Sequence, residues 1–410
     1  MHHYVTEGYV LPNQTHIYWT TMIVLYPYIT GIVAGAFIIS SLYHVFGKQE
    51  LQPVSRFAMV MAFAFLLFAT LPLLNHLGHP ERAFNIMFTP NPTSAMAGFG
   101  FIYTAYLAIL AVEIWLVYRS DIAYLAHHAK APAMRALYWV LALGVTDVQE
   151  ESRRLDHRVM LVLAAIGIPA ACVLHGYVGF LFGAIKANPW WASPLMPVIF
   201  LLSAIVSGIA MVLVCYITVQ KVKGRVIDTA CVQSLIEYAW YSLIIDVTLE
   251  MLELVNHAYV GNEDWEILKQ LLTTKLFVSM FLVQVLVGSV LPFFLLGAVV
   301  VFKDRIAAAT RHNIGLVGGV LLLVQVLAMR WNVVMGGQMF SKSLRGFLDF
   351  KVDVFGRDGL LSAVALFALP FGALFVFSNV LPLWGSIATD PKDRLSERSL
   401  DSVQPRRSWH

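Results

Sequence analysis

Charge is what this sequence is short of. Asp, Glu, Lys and Arg make up only 13% of its 410 residues, while 59% are hydrophobic and the mean hydropathy is +0.71. Globular chains run nearer to about a quarter charged and about half apolar, so a water-soluble fold is excluded. Cysteine is scarce too. Cys172, Cys215 and Cys231 form no Cys-x-x-Cys pair, which excludes a disulfide framework and a thiolate-held iron–sulfur cluster and leaves small buried side chains. A leader pattern is also missing. Residues 1–16 are polar, without a basic stretch followed by a short apolar one. No cleavable signal peptide is expected, and the first apolar block is expected to direct insertion itself.

What the sequence does hold is a series of long apolar blocks, at 17–46, 54–76, 93–118, 157–182, 192–219, 231–258, 275–302, 311–336 and 360–385. Each can cross the roughly 30 Å hydrocarbon core as a helix. The expected fold is an all-α polytopic membrane protein with nine spans. A shorter block, 132–147, is flanked by Arg135 and Asp147 and reads as a loop helix on the cytoplasmic side. Basic residues set the orientation. The segments after spans 1, 3, 5, 7 and 9 hold 19 Lys and Arg, against 8 on the other side. That puts the N-terminus in the periplasm and the C-terminus in the cytoplasm of a bacterial inner membrane. The same bias accounts for the net charge of +3 without nucleic acid.

Two stretches repeat. Span 2 ends "LPLLNH" (71–76) and span 6 ends "LELVNH" (252–257); spans 1 and 5 share "IVAG" (32–35) and "IVSG" (205–208). The four-span offset predicts two parallel four-helix bundle repeats plus one additional C-terminal transmembrane helix, an architecture known in membranes. The expected division is a periplasmic segment 1–16, a first bundle 17–182 with a cytoplasmic loop 119–156, and a second bundle 192–336. A loop and extra helix 337–385 and a cytoplasmic tail 386–410 complete it.

Polar groups collect at the outer ends of the spans. Asn13 and His16 sit three residues apart before span 1, Tyr177 lies near the end of span 4, and Asn75, His76 and His79 open a proline-rich loop. A quinone headgroup needs hydrogen-bond donors at its carbonyl oxygens and groups that exchange protons, beside an apolar slot for its tail. Interfacial Tyr, Trp and His also collect at membrane surfaces for no functional reason. Span 6 gives a sharper signal. Asp246, Glu250, Glu253 and His257 fall within about 60° of one another on a helix, a costly stripe that must face protein or water. Arg330, near the end of span 8, is its expected partner. Proton transfer and structural ion pairing both fit this stripe, and Glu113 in span 3 is open between the same two readings. His44, His76, His175 and His257 are scattered, no helix carrying two, which argues against stacked haems and leaves a single haem as a lesser alternative.

The stretches "HLGHPERAFNIMFTPNPTS" (76–94) and "NQTHIYW" (13–19), together with Tyr177, resemble the NrfD/PsrC family, membrane subunits of polysulfide-reductase-like complexes. The resemblance runs over roughly residues 10–336, with His79 where an Arg is commoner. It implies a quinone site (menaquinone or ubiquinone) at the outer surface of the first four helices, with Asn13, His16 and Tyr177 as headgroup ligands. It also implies no haem or iron–sulfur cluster in this chain, a periplasmic ferredoxin-like iron–sulfur subunit as partner, and a further catalytic or multihaem cytochrome subunit. The ninth span and the loop 119–157 depart from the eight-helix form and leave DsrP-, QrcD- and HybB-like branches unresolved. The competing reading is an ion or small-solute transporter with an intramembrane carboxylate relay.

Overall fold

The computed structural model describes residues 16–146, 149–261, 264–341 and 344–385. Among the described residues there is no strand, only an isolated bridge between Phe340 and Phe347. Helix α1 (Thr21–His44) starts under the Thr20 hydroxyl, which accepts from the Met22 amide at 3.4 Å. The second span is broken into α2 (Gln52–Phe68) and α3 (Leu71–His76). Pro72 has no N–H to continue the ladder of α2, so the chain restarts there. The loop that follows holds a 3-10 turn at Pro80–Arg82 and a short helix, α4 (Asn85–Phe88). After it come α5 (Ala95–His128), α6 (Pro132–Leu141), α7 (Glu150–Gly183) and α8 (Met196–Val222).

Helix α9 (Thr229–Val260) is capped by the Asp228 carboxylate on the Cys231 amide at 2.9 Å and closed by Gly261 at φ +58°, the left-handed turn that glycine tolerates. After α10 (Trp265–Gln270) the chain winds in wide π-type turns through Phe277–Val290 before α11 (Leu291–Val301). Helices α12 (Ala308–Gln338) and α13 (Leu360–Val380) complete the fold.

Eight of the nine expected spans are long and apolar enough to cross a membrane: α1, α2 with α3, α5, α7, α8, the stretch Phe277–Val301, α12 and α13. The chain is a multi-pass membrane protein. The sixth expected span, 231–258, falls outside that set because of its polar composition. Its length is ample, since 32 residues make about 48 Å of helix. The block 132–147 forms α6, which folds back on α5 through a bond from Trp115 Nε1 to the Leu141 carbonyl at 2.8 Å.

Helix α1 is the centre. Of its apolar window 94% is buried, against 17% for the peripheral α13. It packs on α2, α7, α8 and α12, and its crossing with α8 is backbone on backbone. A Cβ built on Gly208 would lie 2.3 Å from the Gly35 Cα, and one built on Gly35 would lie 2.5 Å from the Ala204 carbonyl. These glycines close the "IVAG" and "IVSG" stretches. Small residues that let backbones touch are how membrane helices associate, because lipid supplies no hydrophobic drive. Helix α13 leans on α2, with Phe371 against Phe65 and, just past its end, Trp384 stacked on Phe57 at 4.8 Å. We call the side where α1 begins the near face and the side where it ends the far face.

Gly208→Ala is expected to destabilise the purified chain by about 1–3 kcal/mol through overpacking, read as a lower midpoint of thermal unfolding. Gly372→Ala, whose methyl would meet nothing within 4 Å, is the neutral control.

Candidate functional site

At the near face the polar loop is bound to the segment before α13. His76 Nδ1 lies 3.1 Å from an Asp358 carboxylate oxygen and 3.4 Å from the Thr20 hydroxyl. Asn75 donates to the Arg357 carbonyl at 2.8 Å, and Arg357 returns a bond to the Leu77 carbonyl at 3.2 Å. Thr21 donates to the Asp358 carbonyl at 3.0 Å. One imidazole nitrogen is therefore fixed by a carboxylate. The other, Nε2, has no hydrogen bond among the described residues, and the side chain is 20% exposed. A carboxylate behind an imidazole fixes the orientation of the ring, so Nε2 of His76 is the nitrogen left to meet a ligand. Asp358 was not foreseen from sequence; its only local signal is an acid directly before the last apolar block.

The other near-face candidates are spread out. The Tyr177 hydroxyl donates to the Ala95 carbonyl and sits against Gly98, tying α7 to the first turn of α5. His79 is exposed and paired with Glu81 at 2.9 Å, on the outer surface of the loop. His16 lies just before α1 in exposed chain, and Asn13 is outside the described residues.

The deeper cluster is built from four helices. Arg330 of α12 is fully buried. Its Nη2 donates to His175 Nε2 of α7 at 3.0 Å and, on α8, to the Phe200 carbonyl at 3.0 Å and the Ser203 hydroxyl at 2.7 Å. Its guanidinium carbon stands 3.9 Å from the centre of the Phe200 ring, a desolvated cation–π contact. Arginine carries only donors, so His175 must accept at Nε2 and carry its proton on Nδ1. Across the cluster, Asp246 of α9 is fully buried and lies within electrostatic reach of Arg330 and Glu250.

The acidic stripe of α9 faces protein. Glu250 accepts from Gln284 at 2.9 Å and from Gln325 at 3.5 Å; Gln284 accepts from Asn332 at 2.6 Å, and Asn332 from Ser279 at 2.6 Å. Glu253 and His257 pair at 3.3 Å one turn further on. A cavity of about 60 Å³ lies along the stripe, lined by Glu250, Glu253, His257, Gln284, Asn332 and Trp190 among others. Arg330 sits beside this chain of groups, while its described hydrogen bonds to other helices go to α7 and α8. His175 was read from sequence only as a scattered histidine; nothing local links it to a residue 155 positions away.

Fold and clusters define a polytopic helical membrane protein with ionisable groups held inside it, a pattern that marks a functional interior. The profile of the family described as "Polysulphide reductase, NrfD" matches residues 10–342, and the chain belongs to that family. Among curated proteins it is similar to a selenate reductase subunit of Mesobacillus selenatarsenatis, 34% identical over 48% of this chain and 47% of that one. It is also similar to a putative dimethyl sulfoxide reductase membrane subunit of Halobacterium salinarum, 28% identical over 53% and 47%. An Hdr-like menaquinol oxidoreductase integral membrane subunit of Archaeoglobus fulgidus is 23% identical over 46% and 38%. The matched stretches span about half the length, or less, of these relatives. Membership makes the chain kin to membrane subunits of reductase and menaquinol oxidoreductase complexes.

Removing the buried guanidinium leaves Asp246 without its cation and His175 and Ser203 without their donor. Arg330→Ala is expected to cost about 3–5 kcal/mol, and Arg330→Lys to restore less than half, because a point charge cannot reproduce the planar fork. Thermal unfolding of the purified chain in detergent measures both. An Arg330→Ala midpoint equal to wild type would remove the cluster as a structural tie.

Proposed function

We propose that this chain is the quinone-reactive membrane subunit of a multi-subunit respiratory oxidoreductase. The observation that carries the reading is His76, fastened by Asp358 on one nitrogen and open on the other, in the loop that also carries the family resemblance. A bound quinone supplies a carrier of two electrons and two protons. The residues fit its headgroup chemically: His76 Nε2 can meet a carbonyl oxygen and exchange a proton with it, with Asp358 holding the ring in place. Asn13, His16 and Tyr177 are the further headgroup ligands in this reading. The Tyr177 hydroxyl would turn from the Ala95 carbonyl to the ligand.

In the same reading the near face is periplasmic, as the 19-to-8 bias of basic residues supports. An iron–sulfur subunit docks there to exchange electrons with the quinone. The Gly35–Gly208 crossing and the paired Asn–His ends of α3 and α9 support two parallel four-helix repeats, α9 being the sixth span. Asp246, Glu250, Glu253 and His257, with Arg330 setting the local charge, form a route for protons through the second repeat.

In the intact complex purified from native membranes, His76→Gln should lower quinol-linked turnover about a hundredfold, the range for losing a general base. Asp358→Asn should lower it about tenfold. In both, co-purification of the partner subunits should be unchanged. Wild-type turnover in the two variants would sink this assignment, and mass spectrometry of the same preparation identifies the partners.

A further inference from the structure

A cavity of about 760 Å³ opens between the far-face ends of α1, α2, α5 and α7, away from the site described above. We propose that it is the mouth of a proton path into the first helix group, and that Glu113 is the carboxyl at which the path ends. Three helix faces converge to make it. On α5, Ser120, Leu116 and Val117 line the cavity. Glu113 lies one turn further along the same face, about 5–6 Å deeper. On α7, Met160 lines the cavity and Gly167 is two turns deeper, so close to Glu113 that a Cβ there would lie 3.6 Å from Oε2. On α1, His44 lines the cavity, with Ser40 one turn and Phe37 two turns beyond it.

Polar atoms along this line lack partners. Both carboxyl oxygens of Glu113, the Ser40 hydroxyl, His44 Nε2 and, two turns past Glu113 on α5, the Tyr106 hydroxyl are buried without a hydrogen bond among the described residues. Orphaned buried groups are rare, and a row of them leading from a solvent-sized cavity is what a file of bridging water satisfies. A carboxyl with no cation or donor beside it persists in an apolar interior only with its proton, so the proton needs a way in. Phe37 and Gly167 face Glu113 from α1 and α7, and Tyr106 lies beyond it on α5.

At the mouth Arg56 is paired with Asp121 at 2.7 Å, Arg119 holds the lining Asp156 at 2.5 Å, and the exposed Arg153 is the further cation of the lining. His44 and His157 are the lining groups built to pass a proton inward. The step moves one proton from cavity water to the Glu113 carboxylate, and no electrons. That the mouth faces the cytoplasm rests on the orientation argued above; the path itself does not depend on quinone binding.

The test is infrared hydrogen–deuterium exchange on the purified full chain in lipid nanodiscs, with no partner or quinone required. The carboxylic-acid band removed by Glu113→Gln is expected to shift within seconds of transfer to D2O. Ser120→Trp, which blocks the cavity and leaves Glu113 in place, should keep the band and slow its shift at least tenfold. Loss of no band in Glu113→Gln, or equal exchange in wild type and Ser120→Trp, would overturn the proposal. Should Glu113→Gln not accumulate, the difference between wild-type and Ser120→Trp spectra at a fixed exchange time isolates the same band, and identical spectra overturn it equally. Because these spectra are read without turnover, a negative result here leaves the His76 reading standing, and the reverse holds.

Discussion

The structure depends on one close approach. Where α1 crosses α8 at Gly35 and Gly208 there is no side chain between the two backbones. That contact lets α1 stand in the middle of the protein and touch α2, α7, α8 and α12 at once. One turn away on α1, Gly31 faces His175 and Ser207, with a Cβ there falling 3.3 Å from the imidazole. The space that admits His175, and through it Arg330, therefore exists because α1 presents glycine on two successive turns. Tight packing and the placement of the buried cation are one constraint. In a membrane this constraint is strict, since a guanidinium with no partners has no water to fall back on.

Arg330 shows how that constraint is met. Its donors are divided among an imidazole, a hydroxyl and a carbonyl, and its face rests on Phe200. Asp246 lies across the cluster, within electrostatic reach of Arg330. The three helices α7, α8 and α12 thus meet at a single side chain, with α9 alongside. This arrangement keeps an acidic stripe inside the protein with neutral amide neighbours, Gln284, Gln325 and Asn332. Amides hold a carboxylate in place by hydrogen bonds without bringing an opposite charge to it.

Much of this was legible in the sequence because it is written in local pattern. Apolar blocks about 20 residues long specify spans, and all but one of the nine appear as helices apolar enough to cross. The exception, α9, carries the acidic stripe that helical periodicity had already picked out. The loop 76–94 was recognisable by its motif, and the family it pointed to is the one the chain belongs to. What could not be read was pairing at long range. Asp358 meets His76 across 282 residues and His175 meets Arg330 across 155. No spacing rule connects such positions. The restart at Pro72 and the wide turns of Phe277–Val290 were equally hidden, since both lie inside stretches whose hydropathy is uniform.

The attachment of α13 bears on how the protein is made. Its leading segment holds Asn75 and His76, and its trailing end is held by Tyr138 on the Val380 carbonyl and by Arg56 on the Gly385 carbonyl. Synthesis runs from the N-terminus, so this helix enters the membrane after α1 to α12, and Asp358 lies outside the stretch 10–342 matched by the family. His76 is therefore without its carboxylate until α13 arrives. A chain stalled before residue 358 would hold this imidazole by the Thr20 hydroxyl alone, so the carboxylate contact forms only once α13 has followed the preceding helices.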